Sequence, residues 1–196
     1  MTKYLLAAAI CFFSLSFSGT MNTPIDRMGV KGPLVFDKTP FALSWSDHPS
    51  ETYYIQEYLP AGEKTEHFNQ LLTLHLFDND IPLKNAVDQK IQELNQRKTT
   101  DALCHYMITQ KPGGSEFMVD FILSESKGTE MTIAEFNIYR FKTVQLGKRK
   151  GILVYAYSKR SYGDNITGFL KKLKTERPVL LNVMGAVQIP AVMIVK

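Results

Sequence analysis

The alternation of apolar and polar positions is strongest between Tyr53 and Asp78, YYIQEYLPAGEKTEHFNQLLTLHLFD. Tyr53, Ile55, Glu57 and Leu59 fall on one side of an extended chain and Tyr54, Gln56 and Tyr58 on the other, the two-residue period of a strand. Pro60-Ala61-Gly62 ends that strand, because proline removes a ladder donor and glycine tolerates positive φ. Thr65 to Gln70 reads as one helical turn. Leu72, Leu74 and Leu76 then alternate with Thr73, His75 and Phe77 in a second strand. Beyond it, Leu83, Val87, Ile91 and Leu94 recur at helical spacing among Lys84, Asp88, Lys90, Gln92 and Glu93. This predicts an amphipathic helix of about 14 residues with one buried stripe. It starts after Asp78-Asn79-Asp80, has Pro82 in its first turn and ends near Lys98.

Four more alternating runs follow in close order: Leu103 to Thr109, Glu116 to Ser124, Met131 to Val144 and Ile152 to Ser158. Pro112-Gly113-Gly114, Lys127-Gly128-Thr129 and the basic tip Gly147 to Gly151 connect them, and such short connections predict an antiparallel meander. Ile166, Phe169, Leu170 and Leu173 give a second amphipathic helix capped by Gly163-Asp164. Arg177-Pro178 reads as a restart into a short buried helix, Pro178 to Ala186, and a terminal strand or coil. Before all this, residues 19–49 are punctuated by proline and glycine and read as an extended arm. Pro33 to Phe36 and Phe41 to Trp45 are its candidate strands, and Trp45 has core packing as its default role. The expected organisation is a leader at 1–18, the arm at 19–49, and one α+β domain at 50–196. That domain is an antiparallel sheet of about six strands with two main helices packed on it.

The first 18 residues change the picture most. One charge (Lys3), an apolar run from Tyr4 to Phe13 and small residues at Ser16 and Ser18 form the pattern of a cleaved secretory signal. The run is shorter than the roughly 20 residues a spanning helix needs. The protein is therefore expected outside the cytoplasm, periplasmic or secreted. Cys11 falls within the leader, so the exported chain keeps only Cys104 and can form no internal disulfide. In the apolar run CHYMI, Cys104 reads as a buried, inert thiol.

Charge is unevenly placed. Residues 140–177 carry eleven Lys and Arg against two acids, whereas residues 19–139 carry ten against seventeen. Lys148, Arg149, Lys150, Lys159, Arg160, Lys171, Lys172 and Lys174 form a candidate anion-facing patch if the hairpin tip and the helix end share an edge. Export excludes nucleic acid as the partner. An envelope protein is the first expectation, with anionic lipid or polysaccharide second.

No catalytic, phosphate-binding or cofactor motif is present, and no cofactor is expected. His48, His67, His75 and His105 show no metal-ligand spacing. A metal site would need His75 and His105 on paired strands, with an acid such as Asp120. Asp120 with Glu135 is the carboxylate pair at plausible cross-strand positions. The chemistry points to a non-catalytic binding or accessory protein. A hydrolase or transferase with an unrecognised site, and a lipid-binding protein, stay open as alternatives.

Tyr53 to Phe77, with its EYLPAGE strand end leading through an aromatic turn into a second strand, resembles a run in uncharacterised exported bacterial proteins. The order of strands, helix, meander and C-terminal helix resembles the Mog1/PsbP-like architecture. That resemblance implies binding or assembly work and supplies no catalytic residues to carry over.

Overall fold

The computed structural model describes residues 23–195, so the leader reading, with Lys3 and Cys11, lies outside the described residues. The alternating runs pair in series. Their order along the chain is β1 (Leu34–Phe36), β2 (Thr39–Ser50), β3 (Tyr53–Leu59), β4 (Gln70–Phe77), α1 (Leu83–Arg97), β5 (His105–Gln110), β6 (Glu116–Lys127), β7 (Glu130–Leu146), β8 (Arg149–Tyr162) and α2 (Ile166–Ala186). In space the order is β1-β2-β3-β4-β8-β7-β6-β5, every pair antiparallel. The result is an α+β fold, an eight-stranded curled half-barrel with two helices.

Six strands, β3 to β8, stand where alternation puts them. The two further strands come from the arm, which is built into the sheet. Leu34 to Phe36 pairs with Thr39 to Phe41, and β2 pairs with β3. Met28, Val30, Phe36 and Phe41 are buried in the same core as Leu72, Leu74 and Leu76.

Each face of the sheet has its own core, because side chains alternate. On one face α2 buries Ile166, Phe169, Leu173, Leu180 and Met184 against Leu74, Ile138 and Tyr155. On the other, α1 buries Val87 and Leu94 against Val119, Phe121 and Val154. Cys104 joins this second core, 2% exposed, with burial pushing its thiol up.

Three local expectations need correction. Thr65 to Gln70 is not helical: Lys64 and His67 exchange backbone hydrogen bonds, and the Glu63 carboxylate accepts the N–H groups of Asn69 and Gln70 at 2.7 and 2.9 Å. Those bonds satisfy the turn without a helix. Pro178 does not restart the chain but lies inside the 21-residue α2. An interior proline costs about 3 kcal/mol, and the buried positions keep their helical phase across it. Two arginines anchor the helix on either side of the break. Arg177 grips Asp120 of β6 at 2.7 and 3.0 Å. Arg140 of β7 donates to the carbonyls of Met184 and Val187 at 2.8 and 2.9 Å. Finally, Trp45 is 40% exposed and does not fill the core. Among the described residues no helix is long and apolar enough to cross a membrane.

Candidate functional site

Register alone assembles a polar seam under α1. Trp45 pairs with Glu57, Glu57 with Thr73, Thr73 with Ala156 and Ala156 with Tyr139, so these five stand abreast on one face. His75 lies two residues beyond Thr73 on the same face of β4, with its Nδ1 2.9 Å from the Tyr53 hydroxyl. Glu57 Oε2, His75 Nε2 and Asn137 Nδ2 are buried without a hydrogen-bond partner. Burial pushes the Glu57 carboxyl up to about 7, with Arg160 opposing and Glu135 adding. Burial lowers His75 to about 3, helped by the Lys90 charge, so its ring is neutral. Lys90 is 8% exposed, reaches Glu93 at 2.9 Å and lies 5.0 Å from the Tyr139 ring centre.

Between His75, Tyr139 and Lys90 is a cavity of ≈ 50 Å³. That is room for about three waters, well below the roughly 300 Å³ at which ligand pockets begin. The cavity can hold water, and Glu57, outside its lining, is the carboxyl of the seam that burial brings nearest neutral pH.

The histidine and carboxylate pairings that a metal or acid–base site would need do not form. Three strands separate β4 from β5, so His75 and His105 do not meet. Asp120 stands opposite Ile138 and Glu135 opposite Leu123, on opposite faces, each held by its own arginine (Arg177 and Arg160). Among the described residues no group of three metal-ligating side chains occurs.

The eight basic residues fall into separate places. Lys148, Arg149 and Lys150 form the β7–β8 hairpin tip, where Gly147 takes φ 61°. Lys159 and Arg160 lie nine and ten residues beyond Lys150 on the same strand, roughly 30 Å away at strand rise. Those two also face apart: Lys159 pairs with Glu176 on the α2 side, and Arg160 pairs with Glu135 on the α1 side. Lys171, Lys172 and Lys174 are exposed on α2. The structure brings the tip residues together and does not join them to the rest.

What the sequence reading missed is the edge of the sheet. β5 is the outermost strand, HYMITQ, exposed along all but one residue and free of Lys, Arg, Asp, Glu and Pro. Met107 is 59% and Ile108 47% exposed. Beside Met107 runs α2, with Arg177 Nη2 3.0 Å from its sulfur and Val179 exposed on the helix. β5 was legible as a strand. That it ends the sheet depends on α1 separating it from β4, which alternation does not reveal.

The fold and this edge define a small α+β half-barrel with one open flank. The chain belongs to an uncharacterised bacterial family, whose model matches residues 28–189. No curated protein and no solved structure matches it.

Proposed function

We propose that this chain is an exported, non-catalytic binding protein of the bacterial envelope, which engages a protein partner by adding an extended segment of it to β5. The observation that carries this reading is the unblunted edge. Exposed backbone N–H and C=O groups along an edge strand without Lys, Arg, Asp, Glu or Pro are a template for a further strand. Main-chain bonds would supply affinity, and Met107 with Val179 on one face and Ile108 on the other would read alternate side chains. The order of strands and helices supports a Mog1/PsbP-like reading of the architecture, and the leader pattern supports export.

The water-sized cavity under α1 supports binding over catalysis, and it has no room for an acyl chain. A hydrolase or transferase would centre on Glu57, the carboxyl that burial brings to neutral pH. The deciding experiment is affinity capture from native envelope extract with the wild-type protein and Ile108→Lys as baits. A single protein retained by the wild type and lost on Ile108→Lys is the expected result. Equal retention by both baits rejects β5 as the contact.

A further inference from the structure

The loop from β4 into α1 meets the β7–β8 hairpin tip around a polar pocket of ≈ 280 Å³. Its lining includes Asp78, Asn79 and Asp80 from the loop and Lys148, Arg149 and Lys150 from the tip. The geometry is built, not incidental. Gly151 lets the hairpin press on the end of β4, since a Cβ there would lie 2.6 Å from the Phe77 carbonyl oxygen. Gln145 Nε2 braces the tip by donating to the carbonyls of Gly147 and Arg149 at 2.8 and 3.0 Å.

Asp78 is 6% exposed, and one of its oxygens accepts from Arg149 Nη2 at 2.7 Å. Its other oxygen, Oδ1, has no hydrogen-bond partner, and neither has Asn79 Oδ1. Buried acceptors without a donor are an unmet demand for N–H or O–H groups. At the rim, Lys148 and Lys150 are exposed and form no ion pair among the described residues. The lining therefore has unmet acceptors at its floor and unmet cations at its mouth. Three cations against two carboxylates disfavour a bare metal ion. A bare anion would leave the floor unanswered.

We infer that this pocket is a binding site for a small zwitterion carrying a primary ammonium a few bonds from a phosphate or carboxylate. The ammonium, with three donors, meets Asp78 Oδ1 and Asn79 Oδ1, while the anionic group lies between Lys148 and Lys150. A phospholipid ethanolamine headgroup and a free aminoalkyl phosphate or amino acid share this chemistry. The site is separate from β5, and the two proposals fail independently.

The test is calorimetric titration of the full chain with O-phosphoethanolamine, phosphocholine and inorganic phosphate. O-Phosphoethanolamine is expected to bind at least tenfold more tightly than the other two, because the quaternary ammonium and bare phosphate offer the floor no N–H. Lys148→Ala/Lys150→Ala and, separately, Asn79→Ala each weaken it at least tenfold with the melting temperature unchanged. Ile108→Lys leaves it intact. Flotation with phosphatidylethanolamine-containing against phosphatidylcholine vesicles gives the source: binding to the former supports a lipid headgroup, and binding of the free compound alone supports a soluble one. Equal affinity for phosphate and O-phosphoethanolamine, or no heat with any of the three at millimolar concentration, overturns the proposal.

Discussion

The two edges of this sheet are treated differently. At one end β1 is only three residues long. The longer β2 behind it breaks register twice, between Leu43 and Trp45 and between Asp47 and Ser50, and it contains Pro40 and Pro49. The chain before β1 crosses its flank: Ser46 Oγ donates to the Ile25 carbonyl at 2.5 Å, and Gln56 Oε1 accepts from Arg27 and Met28. Residues Met193 and Val195 of the tail bond back to Met28 and Arg27. Bulges, prolines, short strands and covering segments are the usual means of blunting an edge. At the other end β5 keeps unbroken register with β6 from His105 to Gln110 and carries no Lys, Arg, Asp, Glu or Pro, with Lys111 just past its end. A protein able to blunt one edge so thoroughly has the means to blunt both. The difference teaches that the open edge is where to look for function.

The largest expected effect comes from the anchor behind the open edge. Arg140 Nε reaches Glu116 Oε2 at 2.8 Å, and both side chains are nearly buried. Arg140→Ala leaves Glu116 only the longer contacts to Lys111 and Lys142, at 3.5 and 3.7 Å, and takes the side-chain donor from two carbonyls at the end of α2, so denaturant unfolding should show a loss of about 3–5 kcal/mol. Because α2 flanks Met107, partner capture should weaken as well.

Next comes the seam behind the blunted edge. The Glu57 carboxyl is raised from 4.5 to about 7 in the folded protein. The folded state then holds a proton the unfolded chain has released, so stability falls as pH rises from about 4.5 to 7. This term is worth about 3 kcal/mol. Glu57→Gln should flatten that part of the pH–stability curve and stabilise the protein at pH 8. Glu116 acts with the opposite sign. Burial raises its carboxyl, but the Arg140 hydrogen bond and neighbouring cations outweigh this and hold it below 4.5. Its contribution is full above pH 4.5 and is lost as pH falls through the folded value.

Smaller in energy but closer to the claim, Ile108→Lys should weaken partner binding at least tenfold, about 1.4 kcal/mol. Its unfolding free energy should stay within about 0.5 kcal/mol of wild type. Smallest of all, Trp45→Ser on the blunted side should leave binding unchanged, as titration of the captured partner would show. Loss of binding there would reverse the comparison of edges.

Most of the fold was legible because strands announce themselves by alternation and helices by a periodic stripe. Leu72, Leu74 and Leu76 face one core, and Val87 and Leu94 face the other, as their spacing requires. What stayed hidden depends on long-range pairing. Pro178 looked like a break because nothing in the local sequence shows Arg177–Asp120 and Arg140, which hold the helix on either side of it. The arm's two strands were legible, but not their place in the sheet, because that is set by register with β3. His75 and His105 looked pairable because nothing local says that three strands intervene. The candidate sites suffered most. Asp78-Asn79-Asp80 read as a helix start, and only the folded chain sets it against Lys148 to Lys150.

The most direct test is amide hydrogen exchange of the protein alone and saturated with its captured partner. Slowed exchange concentrated in Tyr106 to Gln110, with β2 unchanged, is the result this account predicts. Protection that leaves β5 exchanging as fast as before, or that falls on β2 instead, contradicts it.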